Sequence, residues 1–159
     1  MLLIVLCQLS FLAVAGELSG LVVGVSDGDT IKVLDDSRHV HTVRLMGIDA
    51  PEKAQAYGQR SKQSLSDLIY RQNVLVEWSK RDKYGRTVGK VLSQDGAGVC
   101  LEQITSGMAW HYTKYASEQS REDRERYAEA EKVAREAKIG LWQEDVPMPP
   151  WVWRHSKPN

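Results

Sequence analysis

Hydrophobic and polar positions alternate with period two along several short stretches, the mark of half-buried strands. Leu21, Val23 and Val25 give a first strand, and Ile31 and Val33, flanked by Thr30 and Lys32, give a second after the turn Ser26-Asp27-Gly28-Asp29. Val40 to Met46 carries a third behind Asp35-Asp36-Ser37, Val74, Val76 and Trp78 a fourth, and Thr87 to Leu92 a fifth. Between the third and fourth, Ser61, Leu65, Leu68 and Ile69 fit helical spacing, which predicts a helix over Gly58 to Tyr70. Val99 to Ser106 predicts a second, closed by Gly107 as a left-handed cap. A third runs from Ser120 to Lys138 and stops at Gly140. Its apolar face holds Tyr127, Ala130, Ala134, Ala137 and Leu141, and its i,i+4 pairs Arg121/Glu125, Glu122/Arg126 and Glu131/Arg135 read as a solvated face. The proline density of Val146 to Trp153 argues against helix there. The fold class is therefore α+β: a five-stranded oligonucleotide-binding (OB) type β-barrel with three helices, since barrel closure removes sheet edges from solvent.

The 159 residues are 42% hydrophobic, enough for one core, and with 26% charged residues the chain is neither disordered nor a polybasic tail. Lys+Arg 21 balances Asp+Glu 21, so contact with a polyanion must come from a local patch. Lys80, Arg81, Lys83, Arg86 and Lys90, against the single acid Asp82, make such a patch. Residues 1–15 are uncharged and apolar and end in Ala13-Val14-Ala15, which predicts a signal peptide and an exported, periplasmic or secreted product without a membrane anchor once cleaved. The domain then spans 16–145, with a Pro/Trp-rich tail over 146–159 packed on it. Removing Cys7 leaves Cys100 without a disulfide partner. Trp151 and Trp153 read as a structural latch.

Acids and arginines concentrate in three segments: Asp27-Gly28-Asp29-Thr30, Arg44 through Glu52, and Asp82-Lys83-Tyr84-Gly85-Arg86. Separately these read as a turn, a helix entry and a hairpin. Together they hold the parts needed to hydrolyse a phosphodiester. Asp29 and Asp49 offer carboxylates to a hard divalent cation such as calcium, with room for a backbone carbonyl, water and phosphate. Arg44 and Arg86 have the planar fork that grips phosphate, and Glu52 is left to orient or deprotonate water. The four His (39, 41, 111, 155) and Cys100 lack zinc spacing. Strict alternation puts Arg44 and Asp49 on opposite faces, so the chain must bend between them, and Gly47 is the natural place.

In the order and spacing of these segments, from about Gly20 to Trp142, the sequence resembles the staphylococcal nuclease (thermonuclease) family. The resemblance implies calcium ligands at Asp29, Asp49 and the Ala50 carbonyl, a general base at Glu52, and phosphate-binding catalytic arginines at Arg44 and Arg86. Asp27 matches a second acid near the site. Lys83, Tyr84, Tyr112 and Tyr115 match or lie beside substrate-contact positions. The implied activity is calcium-dependent hydrolysis of DNA and RNA, leaving 3'-phosphate and 5'-hydroxyl ends, with nucleic acid as the partner; the small size and complete site suggest a monomer with no stable protein partner. The segment from Glu52 to Gly58 is shorter than the family's lysine-rich loop, and the tail from Pro149 extends beyond the familiar enzyme's end. The competing reading is a noncatalytic nucleic-acid-binding OB module, whose mark would be a missing site residue. A purely structural calcium site would leave Arg44 and Arg86 unexplained.

Overall fold

The computed structural model describes residues 16–156; the predicted signal segment and Cys7 lie outside the described residues. In chain order the elements are β1 (Gly16–Asp27), β2 (Thr30–Leu34), β3 (Val40–Leu45), β4 (Ile48–Asp49), α1 (Gly58–Ile69), β5 (Asn73–Arg81), β6 (Thr87–Ser93), α2 (Val99–Thr105), β7 (Trp110–His111), α3 (Arg121–Glu136) and α4 (Pro150–Ser156). Five of the strands close a barrel in the order β1-β2-β3-β6-β5, as the alternation predicts. Closure comes from antiparallel β1 on β5 and from a parallel pair, β3 on β6, that joins Val43 to Thr87 and Leu45 to Gly89. Val22, Ile31, Val33, Val43, Val76 and Val91 fill the interior, while Leu65 and Ile69 of α1 and Ile104 of α2 cap it, all fully buried. Each such side chain contributes about 1.5 to 3 kcal/mol. Cys100 is a buried free thiol whose pKa is pushed up by burial, so it serves as packing.

Three expectations are corrected. The first strand is out of phase with its predicted face: Val22 is fully buried, whereas Val23 is 37% exposed. β1 carries register shifts against β2 between Val22 and Gly24 and between Val25 and Asp27. The inserted residues break strict period two, so the inward positions run Leu18, Val22, Val25. The third helix ends at Glu136, four residues before Gly140, and Lys138 (φ 51) is the first left-handed residue after it. Gly140 instead lies backbone to backbone on Gly107, where a Cβ would sit 2.3 Å from the Gly107 oxygen.

The tail, read as non-helical, contains α4. Pro150 stands at the first helical position, where its missing N–H is not needed and its fixed φ suits the helix. Val152 and Trp153 donate their amides to the Pro149 carbonyl, each at 3.0 Å. The tail's Trp151 packs against a second apolar cluster of Trp110, Ala134, Leu141 and Trp142. This cluster also takes Arg135 from the charged side of α3, with its guanidinium 3.9 Å from the Trp142 ring centre and 4.7 Å from that of Trp110. That face of α3 is therefore solvated only in part: Arg121 and Glu125 lie in water, while Arg135 lies over the tryptophans.

Candidate active site

Two devices outside the regular barrel bring distant acids together. Gly47 adopts φ +79, turning the chain after Arg44 so that β4 leaves the barrel and pairs with β7, Asp49 opposite Trp110. The expected bend is there, and it carries Asp49 back toward the guanidinium of Arg44. The turn between β1 and β2 is pinned from beneath, where buried Gln103 donates its Nε2 to the Gly28 carbonyl at 2.8 Å. Gly28 is required by close approach, since a Cβ there would meet the Ser61 hydroxyl oxygen at 1.8 Å. Asp29, thus positioned, accepts from the Ala50 amide at 2.8 Å and from the Thr30 hydroxyl at 3.0 Å. Glu52 is set by a tight loop: its amide donates to Gln55 Oε1 at 3.1 Å and its carbonyl accepts from the Gln55 amide at 2.8 Å.

The result is a cleft of about 680 Å³ that brings together all the residues of the sequence-derived site: Asp27, Asp29, Arg44, Asp49, Ala50, Glu52, Lys83, Tyr84, Arg86, Tyr112 and Tyr115. Arg44 Nη2 reaches Asp29 Oδ2 at 3.2 Å and Asp49 Oδ1 at 3.1 Å, and Nη1 donates to the Leu45 carbonyl at 2.8 Å. The fork expected to grip phosphate here holds the two carboxylates together. Arg86 differs. Asp82 accepts from its Nε at 2.7 Å and from its backbone N–H at 3.0 Å, and among the described residues its two Nη groups have no carboxylate partner. Burial pushes the Asp82 carboxyl up, but the hydrogen bonds from Arg86 and from the Tyr84 amide outweigh it and hold the group below the usual range.

Asp49 and Asp27 feel the opposite balance. Burial raises the Asp49 pKa, opposed by Arg154 and Arg44 and reinforced by Asp29. Burial, then the negative charge of Asp29, pushes Asp27 up to about 6. An acid whose folded pKa is raised binds its proton more tightly when folded, so it weakens the fold as pH climbs from about 4 to about 6, and the full penalty persists above that. Asp27→Asn is therefore expected to stabilise the chelator-treated protein by about 1 to 2 kcal/mol at neutral pH. Urea unfolding at neutral pH and below pH ~4 checks this; the gain should vanish at the lower pH.

The basic patch is smaller than its sequence suggests. Lys90 lies outside the cleft with its Nζ on Asp123 at 2.8 Å, and Lys80 is paired with Glu118. Lys83 and the 71% exposed Tyr84 stay at the mouth, Lys83 Nζ lying 5.0 Å from the Tyr84 ring centre and the Arg86 guanidinium 5.4 Å from it. Tyr115 is exposed and meets Tyr112 edge to face, while one face of Tyr112 is stacked on Trp151 at 5.3 Å and 19°. Sequence reasoning missed Arg154. It lies in the cleft with Nη2 2.7 Å from Asp49 Oδ2 and Nη1 2.9 Å from Glu52 Oε1. Nothing in the local sequence marks it, because its partners lie 105 and 102 residues away.

Residues 42–144 match the family described as Staphylococcal nuclease homologue. The chain belongs to the staphylococcal nuclease family. Among relatives, an uncharacterized endonuclease of Escherichia coli is 39% identical over 154 residues, 97% of this chain and 96% of the relative. A micrococcal nuclease of Shigella flexneri is 41% identical over 151 residues, covering 90% and 84%. An uncharacterized endonuclease of Haemophilus influenzae is 40% identical over 136 residues, covering 86% and 72%. The protein is a nuclease of this family and its substrate is nucleic acid, which sets aside the noncatalytic binding module.

For a nuclease of this family the donor chemistry of the cleft fits a hard cation. Asp29 and Asp49, both buried, sit on one nitrogen of Arg44, and every candidate donor is oxygen. Among the described residues no group of three or more His, Cys, Asp or Glu forms a metal cluster. A set of two carboxylates and a backbone carbonyl suits calcium, which accepts water and phosphate for the rest, and is too poor in protein ligands for a closed structural site.

Proposed function

We propose that the protein is an exported, calcium-dependent, sugar-nonspecific endonuclease that cleaves DNA and RNA to 3'-phosphate and 5'-hydroxyl ends. The observation that carries the reading is the convergence of Asp29, Asp49, Glu52, Arg44 and Arg86 on one open cleft from three separate stretches of chain. Calcium, when bound by Asp29, Asp49 and the Ala50 carbonyl, supplies Lewis-acid polarisation of a phosphate oxygen. Glu52 takes the proton of the attacking water. Arg86 donates its Nη groups to the phosphate as charge builds on its oxygens. Arg44 orients the metal-binding carboxylates and adds positive charge beside them. Tyr84 and Tyr115 offer ring faces that stack on any base, consistent with a lack of sugar or sequence preference. Product polarity rests on the family resemblance, and export rests on the apolar run of residues 1–15.

Single-stranded DNA and RNA should both be degraded by the purified protein with calcium, with activity abolished by a calcium-selective chelator and restored by added calcium. End-group analysis should find 3'-phosphates. Cleavage that survives the chelator would overturn the calcium dependence, and 5'-phosphate ends would overturn the proposed direction of attack.

A further inference from the structure

The carboxylates of the cleft already hold a cation, and it belongs to the chain. Arg154 donates Nη2 to Asp49 Oδ2 at 2.7 Å and Nη1 to Asp49 Oδ1 at 3.1 Å and Glu52 Oε1 at 2.9 Å. With Arg44 also on Asp49 Oδ1, both oxygens of a proposed metal ligand accept from guanidinium groups. The segment that carries Arg154 is docked by separate contacts: Trp151 stacks on Tyr112 and meets Trp110 edge to face at 5.5 Å, and Gln55 Nε2 donates to the Met148 carbonyl at 2.5 Å.

We propose that the strap Met148–Ser156 is a built-in competitor of the divalent cation: Arg154 and calcium hold Asp49 in alternation, and Arg154 masks Glu52 for as long as it is docked. This rests on the calcium reading above. Arg44 takes Asp49 Oδ1 and leaves Oδ2 to Arg154, so a calcium ion approaching Oδ2 meets the Arg154 guanidinium, 2.7 Å from that oxygen, where both need the same lone pairs and the two positive charges repel. The burial of the partners says which one moves. The Asp49 side chain is 2% exposed and fixed by β4, whereas that of Arg154 is 41% exposed on a seven-residue helix near the end of the described chain. Solvent screens the exposed member and makes it the displaceable one. Release of Arg154 also frees Glu52 to accept a proton from water, and movement of Trp151 with it uncovers the second face of Tyr112. Cation entry, unmasking of the base and opening of a stacking surface are then a single event.

Calorimetric titration with calcium chloride, without substrate, tests this on the wild-type protein, Arg154→Ala and Arg154→Lys, each first shown folded by circular dichroism. Arg154→Ala is expected to bind calcium about tenfold more tightly, equivalent to about 1.4 kcal/mol, with Arg154→Lys between the two. In the wild type, calcium should also raise acrylamide quenching of tryptophan emission, and Trp151→Phe should remove most of that change. Calcium affinity equal to or weaker than wild type in Arg154→Ala overturns the competition while leaving the calcium reading intact. Absence of calcium binding in both proteins overturns the two together. Tighter binding without any change in quenching overturns the movement of the strap.

Discussion

Replacing Glu52 by Gln is expected to lower turnover about 10²- to 10⁴-fold, with substrate binding close to normal. The amide has the shape of the carboxylate but cannot take a proton from water at working pH. In free energy this is a barrier higher by about 3 to 5 kcal/mol. The fold should be indifferent to the change, because what holds this position is the backbone: the Glu52 amide and carbonyl are bound by Gln55, and the side chain is 41% exposed. Gln can still accept from Arg154 through its oxygen, so the strap keeps a partner. The measurement is steady-state kinetics on single-stranded DNA at saturating calcium. A kcat within a few-fold of wild type would remove Glu52 from proton transfer and leave the orientation of water to another group.

Arg86→Ala should cost about 10³-fold in kcat, the upper range for one preorganised donor aimed at developing charge. Asp82 fixes Nε and the backbone amide of Arg86, which points a planar group with little freedom left to lose when it engages phosphate. The pair itself is partly exposed and spans four residues of a hairpin, so its loss should change stability by at most about 1 kcal/mol. Arg86→Lys restores the charge but not the fork and should recover only a small part of the rate. A rise in KM with kcat unchanged would instead mean that Arg86 binds ground state and transition state alike.

Legibility of the fold followed the range of the interactions that decide it. Ile31, Val33, Val74 and Val76 alternate because each barrel strand has one dry face, and that information lies within five residues. β1 defeated the same rule because its register against β2 shifts between Val22 and Gly24 and again between Val25 and Asp27, and such shifts belong to the pairing of two strands, which one strand's own residues do not display. The tail was misread for a related reason. Proline forbids a helix interior but favours a helix start, and whether Pro150 is interior or start depends on Trp151 finding Tyr112 and Trp110. In the site, Asp29, Asp49, Glu52 and Arg86 stood out as chemistry types in tight spacing. The ties of Lys90 to Asp123 and of Arg154 to Asp49 bridge 33 and 105 residues, and no pattern along the chain displays them.

The distance along the chain between Asp49 and Arg154 also bears on how the molecule is assembled. Every strand of the barrel is present once the chain reaches Ser93, and closure needs only the meeting of β1 with β5 and β3 with β6. Asp29 and Asp49, with Arg44 as the counter-charge between them, take their supports from beyond that point: Gln103 pins the Gly28 turn and β7 pairs with β4. The second guanidinium lies on α4, about sixty residues beyond the last barrel strand, so its tie to Asp49 closes one of the longest loops in the chain. The barrel strands thus all lie in the first part of the described chain, while the last charge at the mouth of its cleft comes from the end of that chain.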